Sequence, residues 1–179
     1  MLARQAVPAE TRGEWSKVIC ERVCRSLLFH RATHVVAYVP CGAEVDPAGA
    51  AATAVGTGRM LYYPAPDGRL EARRARDVGV CADGQTTELE TLSRNDESVL
   101  FLVPGVGFDE AGARLGRGGG WYDRVLARFD GAGRLGLAFE LQLVPALPAD
   151  PWDVAMHAVV TEERVIERQP AASLPEGRA

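Results

Sequence analysis

The chain has 179 residues, 47% of them hydrophobic and 25% charged, with a formal net charge of −4. That composition suits a soluble single domain with a full-sized core and speaks against indiscriminate nucleic-acid binding. No run approaches the about 18 apolar residues of a membrane span, and the first residues lack the apolar core of a secretory signal, so a cytoplasmic address is expected.

In chain order, Trp15, Val18, Ile19, Val23 and Leu27 recur on one face of an opening helix over residues 9–28. A strand over 34–39 follows. Asp46 and Pro47 then read as the cap and first turn of an alanine-rich helix that Gly56 or Gly58 ends. Residues 59–63 form the next strand, 69–74 a short edge strand, and 77–97 a long loop without period. The run over 98–103 is continuously apolar and rich in β-branched and aromatic residues, as a strand buried on both faces requires. A helix carrying Tyr122, Val125, Leu126 and Phe129, a strand over 135–139 and a last strand over 158–161 complete the pattern. Alternating strands and helices imply an α/β three-layer sandwich with a mostly parallel central sheet. We expect one domain over 1–168 and a disordered tail over 169–179.

The segment Gly112-Ala113-Arg114-Leu115-Gly116-Arg117-Gly118-Gly119-Gly120-Trp121-Tyr122-Asp123 joins the buried strand to its helix. Glycines let backbone N–H groups turn toward an anion, and arginines add charge that cannot be titrated away. A following helix N-terminus would favour phosphate as well. The pattern is neither a Walker A loop nor the dinucleotide fingerprint. A carboxylate beside it, Asp123, is a candidate metal ligand. In a parallel sheet, ligands bind at the carboxyl ends of strands, where residues 38–44, the glycine loop and the surroundings of Asp153 would converge on one cleft. Plainer roles stand beside these: Asp123 as a helix cap or first-turn residue, Asp153 as a turn residue, Glu44 as a surface residue, Trp121 and Tyr122 as packing, and the glycines as a hinge.

The four cysteines, Cys20, Cys24, Cys41 and Cys81, show no zinc spacing and read as reduced and structural. His30, His34 and His157 are dispersed and read as satisfied or exposed.

Val103-Pro104-Gly105-Val106-Gly107-Phe108-Asp109, followed by the glycine segment through Arg124, resembles the signature of the 5-formyltetrahydrofolate cyclo-ligase (5,10-methenyltetrahydrofolate synthetase) family. Tyr38-Val39-Pro40, Glu44-Val45-Asp46, Leu137-Ala138-Phe139-Glu140, Leu147-Pro148, Trp152-Asp153 and Val159-Val160-Thr161-Glu162 agree in order, so the likeness spans most of residues 14–163. It implies a fold similar to the NagB/RpiA/CoA transferase-like group. It also implies ATP- and Mg²⁺-dependent ring closure of 5-formyltetrahydrofolate to 5,10-methenyltetrahydrofolate, with ADP and phosphate released, by a monomer.

On that resemblance, Arg114, Arg117 and Tyr122 act on the reaction, and the stretch Arg114, Leu115, Gly116, Arg117, Gly118, Gly119, Gly120, Trp121 and Tyr122 binds ATP. Tyr38, Val39 and Glu44, together with Arg117, Gly118, Gly119, Gly120 and Trp121, bind the folate. Asp123 and Asp153 hold Mg²⁺ directly or through water. The alternatives are a member that binds folate or nucleotide without turnover, and a phosphosugar or thioester enzyme, for which no nucleophile or base is evident. Two departures stand out. The family's lysine and arginine of the first helix have no counterpart, since Arg4 is out of register, which implies a nucleotide contact missing or replaced. The Gly79-Val80-Cys81-Ala82-Asp83-Gly84 stretch lacks the family's prolines.

Overall fold

The computed structural model describes residues 2–64, 70–73 and 96–168. The tail expected over 169–179, the Gly79–Gly84 departure, Cys81 and nearly all of the loop expected over 77–97 lie outside the described residues.

The chain opens with α1 (Leu2–Ala6), α2 (Ala9–Arg25) and α3 (Leu27–Arg31), where the sequence pattern suggests one helix over 9–28. The break lies at Ser26, whose backbone is extended at ψ 149°. Its hydroxyl donates to Val23 O at 2.7 Å and accepts from Phe29 N–H at 3.2 Å, closing one helix and capping the next. The expected apolar stripe is therefore truncated. Ile19 and Val23 are buried and Trp15 packs on Phe139, but Leu27 is 63% exposed and Val18 lies near the surface.

β1 (His34–Val36) is shorter than the expected 34–39. Ala37 N–H still reaches Tyr62 O at 2.9 Å, and beyond it the chain leaves the sheet. In α4 (Ala48–Gly56) the Asp46 carboxylate accepts from Ala48 N–H at 3.0 Å, and Gly58, with φ +83°, turns the chain out of the helix. β2 (Met60–Pro64) follows, with β3 (Leu70–Arg73) on its outer edge, the short edge strand expected, which pairs antiparallel.

β4 (Val99–Pro104) is the central strand, buried along five consecutive residues because both faces are covered. Leu100 and Leu102 point to the layer built by α2 and α4, while Phe101 and Val103 point to the layer holding Val125, Leu126 and Phe129. A two-stranded ribbon not expected from the sequence, β5 (Gly107–Phe108) with β6 (Arg114–Leu115), then precedes α5 (Trp121–Leu126). β7 (Gly133–Leu137), β8 (Ala158–Val160) and β9 (Val165–Glu167) complete the sheet. β9 corrects the expectation that the strand at 158–161 is the last: it folds back antiparallel on β8, with only Ile166 of its three side chains turned to the core.

The sheet order is β3-β2-β1-β4-β7-β8-β9, with β2, β1, β4, β7 and β8 parallel and the two edges antiparallel. From β1 the chain goes outward to β2 and then crosses back to lay β4 on the other side. The order thus reverses between β1 and β4, and the carboxyl ends of those strands diverge there to leave a crevice. Among the described residues no helix is long and apolar enough to cross a membrane.

Candidate functional site

The crevice has a volume of ≈ 660 Å³ and is walled by three chain segments. The first leaves β1. Tyr38 is buried and donates its hydroxyl to Val45 O at 2.7 Å, which ties down the turn between them. Burial, and next the neighbouring Tyr122, hold the Tyr38 phenol well above its ordinary pKa. It serves as a post for the turn, while Val39 is 55% exposed on the cleft wall. Within that turn Glu44 accepts from Cys41 N–H at 2.9 Å through Oε2.

The second segment leaves β4. Asp109 is buried and accepts from Ala113 N–H and Leu147 N–H, both at 2.9 Å, through its two oxygens. This fastens the β5–β6 ribbon to the body and projects Arg114 through Gly120 over the cleft. Gly118 (φ +90°) and Gly120 (φ +56°) adopt left-handed backbone that side chains disfavour, and so turn the loop back into α5. α5 has six residues rather than the longer helix expected through Phe129, so its dipole is small and an anion here would have to be met by the loop N–H groups and the arginines.

The two arginines are placed differently. The Arg114 side chain is 6% exposed, and its Nη2 donates to Asp123 at 3.1 and 2.9 Å. Its guanidinium carbon lies 5.4 Å from the Tyr122 ring centroid, and its Nε is buried without an acceptor. Arg117, 46% exposed, reaches across the cleft: Nη2 donates to Glu44 Oε1 at 2.9 Å and to Cys41 O at 3.0 Å, and Nη1 to Cys41 Sγ at 3.2 Å.

Asp123 makes no cap hydrogen bond. The N-cap is Gly120 and the Asp123 carboxylate pairs with Arg114, so Asp123 is a first-turn residue of α5 and not its cap. Tyr122 stacks edge-on with Trp121 at 4.9 Å between centroids. Burial first, then Glu44, raises its phenol above the ordinary value, so it presents a ring and an O–H donor and is not a base at neutral pH.

The third segment carries Asp153, which is exposed and accepts from Asp150 N–H at 2.8 Å through Oδ2. It is a turn residue and a cleft residue at once. Asp123 and Asp153 both line the crevice. Among the described residues no group of three or more His, Cys, Asp or Glu side chains gathers as a self-sufficient metal site.

All of the site candidates named from the sequence therefore border one crevice, and two further residues belong with them. Arg4 is buried at 3% exposure, donates Nη1 to Gly105 O at 2.9 Å and brings Nη2 within 4.0 Å of Glu44 Oε1. The sequence leaves the family's first-helix contact missing or replaced, with Arg4 out of register; the structure brings Arg4 to Glu44 all the same, and register alone could not show how α1 lies against the β4 end. Cys41 is exposed and lines the crevice, which corrects its reading as a structural thiol, whereas Cys20 is buried as expected.

Residues 1–162 match the model of the 5-formyltetrahydrofolate cyclo-ligase family. The chain is similar to the Escherichia coli 5-formyltetrahydrofolate cyclo-ligase, 45% identical over 78 residues that cover 42% of this chain and 41% of that protein. The mitochondrial 5-formyltetrahydrofolate cyclo-ligase of Arabidopsis thaliana is 34% identical over 103 residues, covering 51% of this chain and 37% of that one. These alignments span about two fifths of the relatives' lengths. The solution structure of Aquifex aeolicus 5,10-methenyltetrahydrofolate synthetase superposes with a TM-score of 0.74 at 28% identity, over 97% of this chain and 91% of that one. The Mycoplasma pneumoniae 5,10-methenyltetrahydrofolate synthetase, at 23% identity and a TM-score of 0.70 over 90% and 93% of the two chains, shares the fold.

Proposed function

The chain belongs to the 5-formyltetrahydrofolate cyclo-ligase family, and from that premise we propose that its crevice converts 5-formyltetrahydrofolate and ATP into 5,10-methenyltetrahydrofolate, ADP and phosphate. The observation that carries this reading is the pairing of Arg117 with Glu44 across the cleft, since it brings an anion-binding cation and a ring-binding carboxylate within one side-chain length.

The chemistry needs both. The formyl group on N5 is amide-like, and N10 cannot expel its oxygen as hydroxide. Attack of the formyl oxygen on the γ-phosphorus releases ADP and makes that oxygen part of a phosphate ester. N10 then bonds to the formyl carbon and loses its proton, and the C–O bond breaks as phosphate departs with its electron pair, leaving the charged five-membered ring. Little covalent help from the protein is required; in-line positioning and compensation of charge are.

In this reading Arg117 and the N–H groups of Gly118, Gly119 and Gly120 receive the polyphosphate. The buried Arg114 Nε, which has no acceptor, supports an anion on that side. Leu115, Gly116 and Trp121 complete the nucleotide side, while Tyr38, Val39 and Tyr122 border the folate. Glu44 accepts from the pterin N–H groups.

Mg²⁺ fits the donor set. It binds through one or two carboxylates plus phosphate oxygens and water, and the two crevice carboxylates, with no group of three or more His, Cys, Asp or Glu among the described residues, suit an ion that arrives with its nucleotide. Asp123 and Asp153 would hold it. Bound there, it would neutralise charge on the phosphates. We further propose that the protein acts as a monomer in the cytoplasm.

Incubation of the folded protein with Mg²⁺, ATP and 5-formyltetrahydrofolate tests the proposal. A rise in the near-ultraviolet absorbance of methenyltetrahydrofolate is expected. Folate or nucleotide binding without that product would favour the binding-only alternative.

A further inference from the structure

The cleft carboxylate Glu44 has two guanidinium neighbours, and they differ in kind. Arg117 is half-exposed and touches Oε1 directly at 2.9 Å, whereas Arg4 is 3% exposed and stands 4.0 Å from the same oxygen. A cation that is to receive phosphate has to leave the carboxylate. When Arg117 does so, Glu44, with its side chain only 9% exposed, keeps one backbone donor, Cys41 N–H on Oε2, and one buried charge, Arg4. A buried carboxylate deprived of every cation is costly.

Arg4 is built to remain. Its Nη1 donates at 2.9 Å to Gly105 O, a carbonyl that also accepts from the buried Gln142 amide at 2.9 Å. Arg12 reaches back to the carbonyls of Arg4 and Val7, which holds the end of α1 against the body. The separation from Glu44 matters too. At 4.0 Å the charges attract, yet no N–H of Arg4 occupies a lone pair of Oε1. The oxygen that Arg117 vacates is therefore compensated and still free to accept from a ligand.

We propose that Arg4 is a positioning residue for folate recognition: the permanent counter-charge that keeps Glu44 in place and available when Arg117 turns to the phosphates. This rests on the reading above that Glu44 binds the folate. The positioning cation enters from α1, out of register with the first-helix lysine and arginine that the family resemblance implies.

The test is equilibrium binding of 5-formyltetrahydrofolate and, separately, of Mg-ATP to the wild type and to Arg4→Met, Arg4→Lys, Glu44→Gln and Arg4→Met/Glu44→Gln, with melting temperatures and with kcat and KM for each. For Arg4→Met we expect about tenfold weaker folate binding, seen as a raised KM for folate with kcat lowered much less, and unchanged ATP affinity. Arg4→Lys should recover most of the loss. Adding Arg4→Met to Glu44→Gln should cost little more, because the charge it compensates is already gone.

Equal folate affinity in wild type and Arg4→Met would overturn the inference while leaving the function standing. So would a loss that is undiminished in the Glu44→Gln background, or one that follows melting temperature alone in Arg4→Met and Arg4→Lys. A folded wild type that binds no folate would end the functional reading and this inference with it.

Discussion

Arg114 and Arg117 lie three positions apart, yet one is a buried partner of Asp123 and the other a half-exposed arm across the cleft. Their substitutions should fail differently. Arg117→Ala removes no core contact, so melting temperature should hold while kcat falls by about 10²–10³, the loss typical of one preorganised donor. Wild-type turnover in that variant would make the arm incidental. Asp123→Asn keeps shape and removes charge. Because Asp123 does not cap α5, the variant should lose the Arg114 ion pair, with a drop in stability of about 1–3 kcal/mol, and should need more Mg²⁺ for turnover. Asp153→Asn, at an exposed turn, should shift the Mg²⁺ requirement with little loss of stability, and the double variant should lose less than the sum. Unchanged Mg²⁺ dependence in both single variants would remove them from the metal's surroundings. The sequence named Arg114, Arg117 and Asp123 through the motif around the glycines, and Asp153 through the family resemblance at Trp152-Asp153. It could not show that Arg114 is consumed by Asp123, because that pairing depends on how the β5–β6 ribbon folds the loop back on α5.

The glycine loop is the element on which the site depends, and its glycines are unequal. Gly118 has φ +90° with open space around it, so Gly118→Ala introduces backbone strain of about 1–2 kcal/mol per residue without a clash. Gly119 is equally open and has no such φ. Gly119→Ala should therefore keep nucleotide affinity better than Gly118→Ala, as titration with a non-hydrolysable ATP analogue would show; equal losses would mean that side-chain bulk at the phosphates, not backbone conformation, decides. Elements with strong local signals were legible in the sequence, above all the buried run of β4 and the β3 edge, and the start of α4 to within one residue, since Pro47 is the cap and Asp46 lies just before it. Those set by tertiary pairing were not. The two-residue strands of β5 and β6 are held by Asp109 and have no period of their own, β9 is defined only by lying on β8, and the early end of the opening helix turns on the Ser26 hydroxyl.

At the scale of the whole molecule, α2 and α4 cover one face of the sheet, and Cys20 lies between them with its thiol donating to Asp46 O at 3.3 Å. Burial pushes that thiol from 9.0 to about 11. A folded-state pKa above the unfolded one gives stability that is complete below pH 9 and is lost as pH rises toward 11, here about 2–3 kcal/mol. Between pH 9 and 10 unfolding free energy should fall with pH, the thiols of Cys20 and Cys24 leading and the raised phenols of Tyr38, Tyr62 and Tyr122 joining as pH nears 10, and Cys20→Ala should reduce that slope; an unchanged slope would assign it to those other groups. The same architecture sets the reversal of strand order between β1 and β4 that opens the crevice. In the proposed reaction this crevice joins the γ-phosphoryl group to the formyl oxygen. Turnover of 5-formyltetrahydrofolate labelled with ¹⁸O in the formyl group, followed by mass analysis of the released phosphate, tests it most directly. One label is expected in each phosphate released per methenyltetrahydrofolate formed. Label released into water, or phosphate released unlabelled while product forms, would contradict it.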